Sequence, residues 1–349
     1  MYKRPLHHEL FLDLLRSALW NKVPDSNLFR NLDETIWLKL ISIAQKQALL
    51  GVCYPSLSLL PSDCRPPQNI YLIWAAKANY IRQDNKKKLQ VLSEILSLFE
   101  KNGIYPIVMK GFSSAVLYPE PDLRICGDID LFIPDNYEDS LKLVSDLGYE
   151  MSETEKHHKF YYKGVLIELH HNIVSWPFCI HYSYNIIEQN YDGLRFRTFD
   201  NITTFILLLT HSVAHLIGPG LGFRHVCDWV MFNYNNKDSI DNELLSNSVN
   251  NNRLLRFINI FNGLIINLKL IDKSRMPYTE KKRGHVYKKE ITSLEKDIFR
   301  QGDCGKEELF YRRNIKTLWV YYRVLIRFIR FFRYDVILAL FILKSKFVK

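Results

Sequence analysis

Apolar positions recur at helical spacing towards both ends of the chain and at strand spacing in its middle. Residues 1 to about 102 predict helices. The stretch "DETIWLKLISIAQKQALLGV" opens on Asp33 as a cap and ends at Gly51. A proline-rich break, "PSDCRPPQ", separates it from a long helical pattern running from about Asn69 to Asn102. Late in that pattern Leu89, Leu92, Leu96 and Phe99 recur at spacings of three and four, which defines one buried face, and Gly103 stands where the helix stops.

The pattern then shortens. "IYPIVMK" predicts a strand, "GFSSAVLY" a turn and helix start, and "DIDLFI" a second strand. "YEDSLKLVSDLGY" is an amphipathic helix ending at Gly148, and "KFYYKGVLIELHH" a hairpin around Lys163-Gly164 that leads into the strand "VLIELH". From about Asn201 helices return in "ITTFILLLTHSVAHLI", "GFRHVCDWVMFNY" and "LLRFINIFNGLIINLKL". A polar stretch rich in Lys and Glu follows and predicts a loop or linker. No internal repeat is present.

The expected fold class is therefore α+β, a small mixed sheet flanked by N- and C-terminal helical lobes. The expected boundaries are a helical lobe over 1–102, an α/β core over 103–200 and a second helical lobe over 201–272. A polar linker over 273–310 and a basic amphipathic helix over 311–349 complete the chain.

Composition narrows the class. A chain of 349 residues with 47% hydrophobic content can bury a sizeable core in about two domains. The N-terminus "MYKRPLHHELFLDLLRSALW" lacks the apolar core of a signal peptide, and no run reaches the ~18 apolar residues of a membrane span. Six cysteines have no paired spacing, so neither a zinc ribbon nor a disulfide framework is indicated. A reducing, cytoplasmic location is the expectation.

Charge is uneven. Residues 311–349 hold ten Lys or Arg against Asp335 alone, a local balance of +9 out of the total +10. On a helix, Arg312, Arg313, Lys316, Arg323, Arg327 and Arg330 share an arc of about 100°, with most of the aromatic residues off it. Three readings fit this segment: packing onto the protein, lying on an anionic membrane surface at the inner face of the membrane, or tracking nucleic-acid phosphates.

The candidate chemistry lies in the middle. Strand alternation sends Asp128 and Asp130 to one face and Ile129 and Leu131 to the other. Two carboxylates that close repel unless a divalent cation lies between them. Magnesium suits such a site, because one or two carboxylates and substrate phosphates bind it. Glu168, between Ile167 and Leu169, is a third acid that a sheet can bring beside the pair. Three converging carboxylates are what a two-metal phosphoryl-transfer site requires, with two Mg²⁺ ions or Mn²⁺ in their place. Upstream, Lys110-Gly111 leads into a helix start at Ser113 and Ser114. Gly111 allows close backbone approach to a phosphate, Lys110 and Arg124 supply positive charge, and either serine can donate a hydrogen bond.

These residues carry a resemblance. "KGFSSAVLYPEPDLRICGDIDLFI", followed by "IELH", resembles the DNA polymerase beta-like nucleotidyltransferase superfamily, most closely a branch of bacterial uncharacterised nucleotidyltransferase-family proteins. The resemblance spans roughly residues 35 to 235. It departs from the superfamily in reading Gly-Phe-Ser-Ser at the turn, where Arg or Gly more often follows the glycine-serine pair. It implies transfer of a nucleoside monophosphate from an NTP such as ATP to an acceptor hydroxyl. In that reading Asp128 and Asp130 bind the ion on the triphosphate side, and Asp130 with Glu168 holds the acceptor, Glu168 being a candidate general base. The acceptor is open among RNA, a protein, a sugar and a small molecule. The alternatives are a catalytically silent nucleotidyltransferase-fold regulator and an accessory protein acting through its basic helix at a membrane or on nucleic acid.

His170 stands directly beyond Glu168. His211 and His215 share one helix face at zinc-ligand spacing, but no HExxH glutamate accompanies them, so core or inter-helix packing is the favoured reading, with a lining of the cleft facing the sheet, together with His170, as the other. Arg224 and Asp228, four apart, predict an ion pair on one helix face.

Overall fold

The computed structural model describes residues 3–153, 157–173, 184–217, 220–239, 254–276 and 287–302. The basic segment over 311–349 lies outside them.

The first five helices are α1 (Leu6–Trp20), α2 (Ser26–Phe29), α3 (Glu34–Lys46), α4 (Leu50–Leu59) and α5 (Gln68–Lys101). Asp33 caps α3 by accepting the Ile36 N–H, which satisfies a donor that the first turn leaves without a partner. α5 has 34 residues, about 51 Å at 1.5 Å per residue, and serves two cores. Its first half sends Ile70, Trp74 and Ala78 into the helical core. Its second half sends Val91, Leu92, Ile95, Leu96 and Phe99 under the sheet.

That sheet contains β1 (Ile107–Met109), β2 (Ile129–Phe132), β3 (Ser152–Glu153), β4 (His157–Tyr162) and β5 (Val165–His170), in the order β1-β2-β5-β4-β3. β2 and β5 run parallel; the other pairs are antiparallel. A one-turn helix, α6 (Phe112–Ala115), follows β1, and α7 (Tyr137–Asp146) follows β2. Ile129, Leu131, Ile167 and Leu169 point into the core shared with α5 and α7, and the opposite face carries Asp130, Glu168 and His170 beside a smaller apolar cluster that includes Ile107, Met109 and Phe132. The expected hairpin turns at Lys163-Gly164, both at positive φ (48° and 78°).

A second hairpin, β6 (Ile186–Tyr191) with β7 (Leu194–Phe199), was not anticipated by the hydrophobic pattern. Its turn is Asp192-Gly193, a two-residue hairpin signal in its own right. Thr198 on β7 donates its hydroxyl proton to the Val108 carbonyl at 2.9 Å, bracing β1 from its open edge.

Four more helices follow: α8 (Asn201–Ile217), α9 (Phe223–Asn236), α10 (Leu255–Asn267) and α11 (Lys288–Gln301). The two flanking helical ends of the chain share one hydrophobic core. Phe11 of α1 meets Phe223 of α9 at 5.6 Å between ring centroids, and Phe223 meets Phe299 of α11 at 4.8 Å. Among the described residues, no helix is long and apolar enough to cross a membrane.

α11 departs from the expected linker over 273–310. Its Lys and Glu content hides a narrow apolar stripe, Ile291, Leu294 and Ile298, spaced at three and four residues along one face. Its one buried acid, Glu295, pairs with Arg4 at 2.5 Å, and Gln47 donates to the Ile298 carbonyl at 3.0 Å. Leu294→Ala is therefore expected to lower stability by about 2–4 kcal/mol in urea unfolding, an effect that a solvated linker would not give.

Candidate active site

The strand register assembles the site. Asp130 on β2 lies opposite Glu168 on β5, and Glu168 lies opposite Lys159 on β4. His170, two residues beyond Glu168, lies opposite His157. Alternation places all of these on the face away from the apolar core. Asp128 precedes β2 and shares that face with Asp130. The sheet thus brings together Asp128, Asp130, Glu168 and His170, as the spacing predicted, and adds Lys159 and His157.

The approach to Asp128 is held from α5. Asn85 donates to the Asp122 and Arg124 carbonyls, both at 2.8 Å, and accepts the Cys126 N–H at 3.1 Å. Lys88 donates to the Cys126 carbonyl at 2.6 Å. These buried polar bonds fix the loop that delivers Asp128 and Asp130.

Each acid has defined neighbours. Lys110 Nζ lies 3.1 Å from Asp130 Oδ1, and His170 Nε2 lies 2.9 Å from the same oxygen. His170 also reaches Glu168 Oε2 at 3.5 Å, bridging the two acids. Lys159 Nζ sits 2.5 Å from Glu168 Oε1, and His157 Nε2 sits 3.4 Å from Oε2. Burial works to raise the Asp130 carboxyl, but the Lys110 ammonium and the His170 hydrogen bond outweigh it and hold Asp130 well below the ordinary range. Burial likewise works against ionised Glu168, yet hydrogen bonds from His170 and Lys159 bring it down to about 2. At neutral pH Glu168 is thus ionised and a weak proton acceptor.

Asp128 behaves in the opposite way. Burial, and then the negative charges of Asp130 and Glu168, push its carboxyl up. Of the three, Asp128 is the one whose acidic neighbours and burial outweigh the Lys110 charge.

The Lys110-Gly111 turn faces this cluster. Both residues have positive φ (45° and 46°), and Gly111 combines this with ψ −106°, a region that favours glycine. The Ser113 hydroxyl donates to the Lys110 carbonyl at 2.9 Å, which uses its one proton, and Ser114 is buried. The turn is thus braced by Ser113, and Lys110 is the group that projects to the acids.

Arg124, expected to neutralise phosphate charge, is placed elsewhere. It is 3% exposed, and its guanidinium donates to Asp228 from Nε at 3.0 Å and from Nη2 at 2.6 Å. Tyr118 donates to the same carboxylate at 2.8 Å. Arg224 exerts its charge on Asp228 from within α9, but the bidentate partner is Arg124, 104 residues away. Arg124 therefore ties the loop before β2 to α9.

His211 and His215 on α8 have rings 4.5 Å apart, and His225 of α9 joins them. Burial, followed by the Lys110 charge, pushes the His211 imidazole well below its ordinary value, so this group borders the Lys110 turn.

Acids from adjacent strands of a mixed sheet are thus faced by a Lys-Gly turn. The family described as uncharacterised nucleotidyltransferase matches residues 33–265, and the chain belongs to that family. Among solved structures it is similar to an antigenic nucleotidyltransferase-like protein from Paracoccidioides brasiliensis. That likeness has 16% identity and a TM-score of 0.33, and covers 46% of this chain and 85% of the other. No curated protein matches.

Proposed function

We propose that the protein transfers a nucleoside monophosphate from an NTP to an acceptor hydroxyl, with Mg²⁺ as the required metal. The observation that carries this reading is the register pairing of Asp130 with Glu168 on parallel neighbours, with Asp128 at the head of the same strand. The donor set fits the metal. Asp128 is raised by burial and then by its two acidic neighbours, the state that a bound dication reverses.

Asp128, Asp130 and Glu168 would hold the metal, which supplies charge neutralisation of the triphosphate and of the attacking oxygen. The chain's own residues do the rest. Lys110, flexible and 19% exposed, can leave Asp130 and turn to the phosphates. Glu168 orients the acceptor hydroxyl by accepting its hydrogen bond, and the proton passes on to solvent. The acceptor oxygen bonds to the α-phosphorus, the bond to the bridging oxygen breaks, and pyrophosphate leaves. Rate comes from alignment and from charge placed ahead of reaction.

A second reading, a silent nucleotide-binding relative, is favoured by one observation. Lys110, Lys159 and His170 already neutralise Asp130 and Glu168. Calorimetric titration with NTP separates the cases. The proposal expects binding that requires Mg²⁺ and is lost in Asp128→Asn/Asp130→Asn. Binding that is equal with and without Mg²⁺ would favour the silent protein.

A further inference from the structure

The sheet acids leave a second group of metal-ligating side chains unused. His211 and His215 stand one turn apart on α8, and His225 reaches them from the first turn of α9. Ring centroids are separated by 4.5 Å (His211–His215), 5.4 Å (His211–His225) and 4.1 Å (His215–His225). One ring nitrogen from each lies within 4.8 Å of one from each of the others. His225 is buried, whereas His211 and His215 are half-buried. Three imidazoles from two packed helices have the ligand count of a zinc site that keeps an open position.

We infer that His211, His215 and His225 form a binding site for a transition-metal ion of the zinc type, separate from the carboxylate site on the sheet. The chemistry of the set selects the metal. There is no oxygen ligand among the three, which disfavours Mg²⁺ and Ca²⁺, and imidazole suits Zn²⁺, Cu²⁺ and Ni²⁺. His215 Nδ1 lies 3.3 Å from the Gly220 carbonyl, a contact that orients the ring. His225 Nδ1 accepts the Gly222 N–H at 3.3 Å, a long bond that metal binding through Nε2 would give up as the ring proton moves to Nδ1. Burial keeps His211 and His225 neutral at physiological pH, the form that binds metal.

The surrounding charges set the character of the site. Lys110 and Arg224 act on His211, and Arg224, Asp228 and Arg124 act on His225. The three cations oppose a bound dication, so the ion must be held by strong donation from nitrogen rather than by simple charge attraction. The same cations favour an anionic group, or hydroxide, at the open position.

The experiment uses tag-free full-length protein, stripped with chelator and titrated with Zn²⁺ against a chromophoric competitor. Co²⁺ substitution then reports geometry by visible absorption. The result expected is one tightly held Zn²⁺ per chain, and a tetrahedral Co²⁺ spectrum. His211→Gln and His215→Gln should each weaken binding by at least about tenfold. Asp130→Asn/His157→Gln should leave binding intact, which separates this site from His157, Glu168 and His170, the other cluster with metal-ligand spacing. The inference is overturned if wild-type protein binds no Zn²⁺, if both glutamine variants bind it as tightly as wild type, or if only Asp130→Asn/His157→Gln loses it. Should the glutamine variants misfold, the wild-type stoichiometry and Co²⁺ spectrum, read in the Asp130→Asn/His157→Gln background, still decide the matter.

Discussion

Replacing Arg124 by alanine is expected to cost about 3–5 kcal/mol of folding stability, because it strands the buried Asp228 carboxylate without its bidentate partner. Domains of this kind hold about 5–15 kcal/mol in total, so the variant should unfold at much lower urea concentration. Asp228→Asn, which strands the guanidinium instead, should cost a similar amount. Replacing both by apolar residues of similar volume should recover most of the loss, since the pair's desolvation cost disappears with it.

The pair also makes a pH prediction. Burial tends to raise the Asp228 carboxyl, but the Arg124 charge and hydrogen bonds prevail and hold it below its ordinary 3.8. A depressed carboxylate contributes stability that is fully present above the unfolded value, and loses it as pH falls through the folded one. Urea midpoints measured from pH 7 downwards should therefore fall below about pH 4 more steeply in wild type than in Asp228→Asn. If instead Arg124→Ala keeps wild-type stability and only weakens NTP binding, Arg124 is a phosphate ligand and not a strut.

Asp130→Asn is expected to have the largest effect on catalysis, a fall of at least about 10³-fold in pyrophosphate release. Asp130 is the acid that Lys110 and His170 both hold and that lies opposite Glu168 in the register. An amide keeps the shape and removes the charge. The stability cost should stay near 1–2 kcal/mol, because Lys110 can turn to solvent when its partner is neutral. A rate loss with the fold retained would place the effect in the site; a rate loss that tracks unfolding would not.

Much of this was legible in the chain, for identifiable reasons. Asp128, Asp130 and Glu168 stand out because strand alternation puts acids where a core-facing strand has no use for them. The Lys163-Gly164 hairpin carries its own turn chemistry. What escaped reading depends on register or on distance. Lys159 and His157 look like ordinary surface residues until β4 pairs with β5 and sets them beside Glu168 and His170. Arg124 sits near enough to the aspartates to read as a phosphate ligand, and nothing local reveals a partner 104 residues away.

Two further omissions have local causes. α11 was hidden by the charge on its outer face. The β6–β7 hairpin had a readable Asp-Gly signal, but the polar Glu188, Gln189 and Asn190 broke the alternation that would have marked a strand. His225 could not be joined to His211 and His215 from spacing, because it is helix packing that brings α9 against α8.

The central claim is that three carboxylates on one sheet face direct transfer of a nucleotide. Its most direct test is incubation of the full-length protein with each α-labelled NTP, Mg²⁺ and cell lysate, beside Asp128→Asn/Asp130→Asn. The account predicts label on an acceptor with matching pyrophosphate, dependent on Mg²⁺ and absent from the variant. Mg²⁺-dependent NTP binding with no label on any acceptor and no pyrophosphate would contradict it.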